Sequence, residues 1–341
     1  MATLRSDIII PEVFTPYVIE QTTQRDAFLA SGVVQPMAEL NATEGGDFIN
    51  VPFWQANLSG DFEVLSDSSS LTPGKIEADK QVGVVLHRGR AFEARDLAAL
   101  AAGSDPMAAI GAKVADYVAN QRQKDLLSCL GGVFGSLNTN SSSSAFFDLC
   151  IDSESGDTPT ALSPRHVAQA RAILGDQGDK LTAVAMHSKV YYDLVERRAI
   201  DYVTAGEART TTDAQTPDVF AGSIQNAFGN VTVPTFMGLR VIVSDDVQVD
   251  SSEYATYFFT SGAVASGEQM AMQTETDRDI LAKSDAMSID LHYCYHPVGA
   301  KWEVATTNPT RTQLETVANW SKVYELKNIG IVRATNVSNF D

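Results

Sequence analysis

The stretch "VPFWQANLSGDFEVLSDSSSLTPGKIEADKQVGVVLHRGRAF", from Val51 to Phe92, has strand-like ends and a long polar middle. On its leading side Ile49, Val51 and Phe53 alternate with Phe48, Asn50 and Pro52, the two-residue period of a half-buried strand. Pro52 has no amide to donate, which suits an edge strand. On the return, "QVGVVLHRGRAF" puts Val82, Val84, Leu86 and Phe92 on one face, with Gly83 and Gly89 making it bendable. Arms of about 20 residues at ~3.3 Å each would reach roughly 60 Å, more than the width of the body that carries them. A two-stranded hairpin is marginal alone in water. Between Ser59 and Lys80 the acids Asp61, Glu63, Asp67, Glu77 and Asp79 face only Lys75 and Lys80, with Phe62, Val64, Leu65, Leu71 and Ile76 as apolar anchors. Backbone ordering costs ~1–2 kcal/mol per residue. The tongue therefore needs a surface it does not carry, and a neighbouring copy of the chain is the expected supplier.

Ahead of the tongue, "IIIPEVFTPYVIEQTTQRDAFLASGVV" mixes apolar residues with Pro11 and Pro16. It reads as an extended arm with a short helix over Pro16 to Asp26. Behind it, "SDPMAAIGAKVADYVANQRQKDLLSCLGG" is the clearest helix. Asp105 is placed to cap it, Pro106 suits its first turn, and Gly131–Gly132 is the expected stop. Met107, Ile110, Val114, Tyr117 and Val118 recur at three- and four-residue spacing and define its buried face. About 25 residues at ~1.5 Å rise make a spine of roughly 37 Å.

A Ser-rich loop over 135–160 precedes a second helix, "SPRHVAQARAILG", with Ser163 as cap, Pro164 at the first position and Gly175 at the stop. "LTAVAMHS" reads as a buried strand, with Ser188 capping the helix "KVYYDLVERRAI". "GLRVIVSDDV" and "YATYFFTSGAVASG" are further strands with turns at Asp245–Asp246 and Ser261–Gly262. "AMSIDLHYCYHPVGAKWEV" is a long strand broken at Pro297–Gly299, and "KVYELKNIGIVRATNV" ends in one more. The fold class is α+β.

The 341 residues suffice for a large packed core, with 44% hydrophobic content. No apolar run approaches membrane-spanning length, so no membrane partner is expected. The net charge of −18 argues against affinity built on phosphate neutralisation. Cys129, Cys150 and Cys294 lack metal-type spacing and suit reduced thiols. The sharpest chemical candidate is "HYCYH", whose His292, Cys294 and His296 share one strand face and are zinc-type ligands. The sequence suggests no fourth ligand or activating carboxylate nearby, so the favoured reading is structural, with Tyr293 and Tyr295 toward the core and the His–Cys face at an interface or in solvent. Ser188 at a strand-to-helix turn is better read as a cap than as a nucleophile. "GGVFGS" at Gly131–Ser136 follows a helix and has no P-loop lysine. Arg88, Arg90 and Arg95 form a small basic cluster, open to pairing with acids of a neighbour's tongue or to plain solvation. No catalytic, cofactor or metal residue is expected.

The order of arm, long hairpin, spine helix, α+β body and returning strands resembles the major capsid protein of tailed bacteriophages. So do "FMGLRVIVSDDV" (Phe236–Val247), "YFFTSGAVASGE" (Tyr257–Glu268), "RDILAKSDAMSIDLHYCYHPVGAKW" (Arg278–Trp302) and "WSKVYELKNIGIV" (Trp320–Val332). The resemblance implies an N-terminal arm (1–45), an extended β-hairpin loop (46–95), a peripheral domain with the long spine helix (96–160 and 272–305), and an axial domain (161–271 and 306–341). It implies hexamers and pentamers closing into an icosahedral virion shell around double-stranded DNA, assembled in the host bacterial cytoplasm. Implied partners are other copies, a separate scaffolding protein, a portal protein, a cement protein as a further candidate, and packaged DNA held by weak non-specific contact. Competing readings are an encapsulin-like compartment and, from a different class, a zinc-dependent α+β hydrolase using His292 and His296.

Overall fold

The computed structural model describes residues 28, 31–41, 45–55, 62, 76–96, 106–135, 137, 144–151, 160–204, 232–247, 249–250, 252–281 and 283–340. The expected helix over Pro16 to Asp26, most of the tongue, the Asp105 cap and much of the Ser-rich loop lie outside these residues.

Two sheets organise the chain. In the first, β12 (Val264–Asp279) and β13 (Ser284–Pro297) form a long hairpin, paired from Val264 with Pro297 to Asp279 with Ser284. Strand β4 (Leu86–Arg95) runs antiparallel along the outer edge of β13, and the short β1 (Val34–Pro36) runs parallel to β12. The second sheet has the order β5-β16-β11-β6-β9-β8-β7, with β10 (Val249–Asp250) beside β11. Its middle strand β6 (Leu181–Met186) is antiparallel to β11 (Glu253–Thr260) and parallel to β9 (Leu239–Val243). Strand β16 (Ile331–Val337) covers the other side of β11. β5 is Cys150–Ile151, β7 is Ile200–Thr204 and β8 is Thr232–Phe236.

Helix α1 (Pro106–Phe134) joins the two sheets. Its first half places Val114, Ala115 and Val118 on Met272, Met287 and Ile289 of the long hairpin, with Phe92, Met107, Ile110 and Tyr117 around them. This is the face that the three- and four-residue spacing marks. Its second half sends Leu126, Leu130, Val133 and Phe134 into the main core with the second sheet. Twenty-nine residues at ~1.5 Å span roughly 44 Å. The helix does not stop at Gly131–Gly132; it ends at Gly135, whose φ is +84°. Gly132 has a packing role instead. A Cβ there would lie 1.8 Å from the Leu314 carbonyl oxygen and 2.6 Å from the Trp320 indole nitrogen.

Helix α2 (Pro164–Leu174) begins and ends as its sequence signals: the Ser163 amide donates to His166 Nδ1 at 3.1 Å, and Gly175 has φ +59°. Helix α3 (Ser188–Glu196) is capped one residue earlier than expected. The His187 ring accepts from the Lys189 amide at 3.2 Å, and Ser188 is the first helical residue.

The hairpin at the base of the tongue pairs β2 (Phe48–Trp54) with β3 (Ala78–Val84), from Phe48 with Val84 to Trp54 with Ala78. The described ladder is thus seven residues a side, ~23 Å. The return arm is not one strand. It switches sheets at Val85, whose amide donates to Asp47 O at 2.9 Å, and Gln81 to Leu86 are all buried rather than alternating. The end of β13 and the short strand Ala300–Trp302 both pack against this stretch.

Val114 is 1% exposed in the cluster between α1 and the long hairpin. A carboxylate there would lie among apolar side chains, and burying it unpaired costs several kcal/mol. Val114→Asp should abolish soluble subunit; normal yield with a native thermal melt would refute the packing of this helix face.

Candidate functional site: the root of the extended loop

The residues with chemical potential are spent on packing. In "HYCYH" the tyrosines and the His–Cys face are both covered: Tyr293, Cys294, Tyr295 and His296 are each at most 3% exposed. The expectation that the His–Cys face would be an interface or solvent surface fails for Cys294 and His296, because β3 and the turn after β13 close over them. His292 stays partly open and stacks on His87 across the ladder, ring centroids 4.1 Å apart. Burial raises the Cys294 thiol to about 12 and lowers the His296 imidazole to about 4, the latter opposed by the Ala300 backbone. Among the described residues no group of three or more His, Cys, Asp or Glu side chains is placed to hold a metal.

The basic cluster divides. Arg88 is bonded within its own chain: its Nε donates to Asp125 Oδ2 at 3.2 Å, and its other nitrogens donate to Asn308 Oδ1 (2.9 Å) and Pro309 O (2.8 Å). Arg90 and Arg95 remain exposed. Asp125 lies on α1 with 0% exposure and carried no signal in the sequence reading. It also accepts from Arg311 Nε and from the Tyr293 hydroxyl at 2.5 Å. Arg311 is held in turn by Gln121 Oε1 at 2.7 Å. Burial, and then the charge of Asp125, push the Tyr293 phenol well above its ordinary value, so it stays protonated as a donor. A single carboxylate ties together the spine, the return arm of the loop, the long hairpin and the segment before Arg311.

A second polar node sits where the ribbon of β2 and β3 leaves the body. Gln81 is 5% exposed. Its Oε1 accepts from the Gly299 amide at 3.0 Å and lies 3.2 Å from His296 Nε2, and its Nε2 donates to the Tyr324 hydroxyl at 2.6 Å. The Tyr324 ring meets Phe53 edge-on at 4.7 Å between centroids. Beyond this seat the ribbon turns outward. Trp54 is 68% exposed, and Phe62 and Ile76 are exposed too. A separate apolar tip stands at the β12–β13 turn, where Ile280 is 80% and Leu281 97% exposed. That turn is braced by Arg278, which pairs with Asp96 at 2.7 Å and Asp285 at 2.8 Å. Exposed large apolar side chains on built projections mark contact surfaces.

Comparison with known proteins agrees with this picture. A family model for Gp13-like proteins, described as major capsid protein 13-like, matches residues 11–330. The chain is 37% identical to the major capsid protein of Bacillus phage SPP1, covering 96% of each protein. Among solved structures it is similar to the capsid asymmetric unit of cyanophage Pam1 (TM-score 0.57, 13% identity, 94% of each chain). It is also similar to the capsid of Ralstonia phage GP4 (TM-score 0.55, 8% identity, 91% of this chain and 88% of that one). At such identities the structural likeness speaks to the fold, and it shows the tailed-phage capsid architecture.

Two outcomes follow from the buried groups. Asp125→Ala leaves two guanidinium groups facing each other without their anion, and breaking a buried pair in this way costs about 3–5 kcal/mol; the melting temperature of the subunit should fall accordingly, and an unchanged melt would deny Asp125 its tying role. His296 is neutral in the fold with its pKa lowered to about 4, against ~6.5 when unfolded. Its contribution is complete above pH ~6.5 and is lost as pH falls toward 4, on the order of 3 kcal/mol. Thermal melts from pH 7 to 4 should therefore drop more steeply for the natural chain than for His296→Gln; parallel curves would contradict this.

Proposed function

This chain belongs to the Gp13-like major capsid protein family, and we propose that it closes its shell by clasping neighbouring copies with the ribbon of β2 and β3. It is the major capsid protein of a tailed phage, a structural component of the virion. The observation that carries the clasp is the ribbon itself. Among the described residues β2 and β3 pair only with each other; past Gln81, Trp54 of β2 and Ile76 just ahead of β3 are exposed instead of buried. An isolated two-stranded ribbon with an apolar surface needs a partner to supply burial. In a shell of identical subunits that partner is the next copy. The Ile280–Leu281 tip is a second surface of the same kind, flanked by Asp279 and Lys283, charges of both signs that suit contact with another copy of this chain.

The finer assignments go with this reading. The arm (1–45), the extended loop (46–95), the peripheral domain (96–160 and 272–305) and the axial domain (161–271 and 306–341) are the units that would repeat in hexamers and pentamers. A scaffolding protein, a portal protein and a cement protein are partners of the kind such a shell takes, with assembly in the host bacterial cytoplasm. A charge of −18 keeps contact with packaged double-stranded DNA weak and leaves the strength of the shell to area buried between subunits. The reading assigns the chain no reaction. The kinship with the SPP1 major capsid protein supports a phage shell over an encapsulin-like compartment. The covering of Cys294 and His296 weighs against a zinc hydrolase.

Replacing residues 56–75 by a short Gly-Ser turn leaves both strands of the ribbon in place and should give a folded, soluble subunit that forms no closed shells. Sedimentation and electron microscopy read the result. Intact particles with natural heat resistance would show that the loop is no clasp.

A further inference from the structure

We infer that Gln81 is a positioning residue, the fulcrum that sets the angle at which the ribbon leaves the body and so aims it at the next copy. The inference rests on the clasp reading above and adds to it the side chain on which the clasp pivots.

Burial along β3 places the boundary. Ala78 and Lys80 are exposed, whereas Gln81, Val82, Gly83 and Val84 are buried. Gln81 is thus the last enclosed residue before the projecting part. No third strand fixes the ribbon's direction among the described residues. What holds it is of two kinds. Val82 and Val84 sit in the main core and Ile49 in a small cluster with Leu40 and Cys294. Such apolar contacts are non-directional and set how deeply the ribbon is seated, not its rotation. The Gln81 amide is directional. It holds three groups from three places: His296 at the end of β13, Gly299 in the following turn, and Tyr324 further along.

Those three groups are themselves fixed to one another. The turn leads into β14 (Ala300–Trp302), which pairs with β15 (Trp320–Lys322), and the Val323 amide donates to Gly299 O at 2.9 Å. Tyr324 serves both strands of the ribbon, taking Phe53 of β2 on its ring and Gln81 of β3 on its hydroxyl. The amide therefore resists rotation of the ribbon about its root. Any angular error there grows with distance along the projection. Head-to-tail contacts between identical subunits close only when the rotation between them repeats correctly. Losing this amide should spoil closure more than it spoils folding.

Gln81→Met keeps the length and most of the volume of the side chain and removes its hydrogen bonds. Tyr324→Phe keeps the ring on Phe53 and removes one. Assembly is run well below the melting temperature of each variant, and particles are scored by sedimentation and electron microscopy. Gln81→Met is expected to stay folded with a lowered melting temperature and to yield at least tenfold fewer closed shells, with open or irregular sheets in their place. Tyr324→Phe is expected to shift in the same direction by less. Closed shells of natural yield and diameter from Gln81→Met overturn the inference; if Gln81→Met does not fold, the same result from Tyr324→Phe overturns it. The variant lacking residues 56–75 keeps the two claims apart. If it assembles normally, the clasp itself fails. If it is blocked while Gln81→Met assembles normally, only the role of Gln81 fails.

Discussion

A carboxylate with no exposed surface governs the rest of the molecule. Asp125 lies where the half of α1 that packs on the long hairpin gives way to the half that enters the main core. Removing a carboxylate from water costs several kcal/mol, and only close, hydrogen-bonded cations offset it. Here the cations come from Arg88 on the return arm of the loop and Arg311 far along the chain, with the Tyr293 hydroxyl completing the shell. None of the four segments can move away without stranding a buried charge. The loop's return arm is thereby bound to the body on the inner side of Val85.

On the outer side of Val85 the forces are different. The ribbon of β2 and β3 is seated by apolar contacts and by neutral hydrogen bonds around Gln81, each worth about 1 kcal/mol net. An ionic centre thus stands beside a root whose direction rests on neutral hydrogen bonds. The apolar side chains left open past the root, Trp54 above all, are unfavourable in a lone subunit, and on the proposed clasp reading a neighbouring copy covers them.

Much of this was legible in the residues. The buried stripe of α1, the caps and stops of α2, the turns at Asp245–Asp246 and Ser261–Gly262, and the break of the long strand at Pro297–Gly299 all rest on local periodicity or on single residues with restricted backbones. The misreadings share a cause. Gly131–Gly132 looks like a helix stop, yet Gly132 is small because the Leu314 carbonyl lies against it from 182 positions away in sequence number. The return arm looks like one strand with one buried face, yet the end of β13 and Ala300–Trp302, distant in sequence, pack against it and bury Gln81 to Leu86 throughout. Arg88 looks like surface charge, yet Asp125 sits beside it across 37 positions.

The sequence by itself determined that this chain is an α+β protein with a spine helix and a projecting hairpin too polar to bury itself, because period, capping and charge density act over a few residues. Only the tertiary structure decided where the hairpin stops belonging to the body, that Asp125 anchors one side of that boundary, and that Gln81 is enclosed on the other with Gly299 and Tyr324 as its partners. Those features arise from contacts between segments distant in sequence. An aspartate within a helix or a glutamine within a strand looks ordinary until the fold takes away its water and supplies its partners.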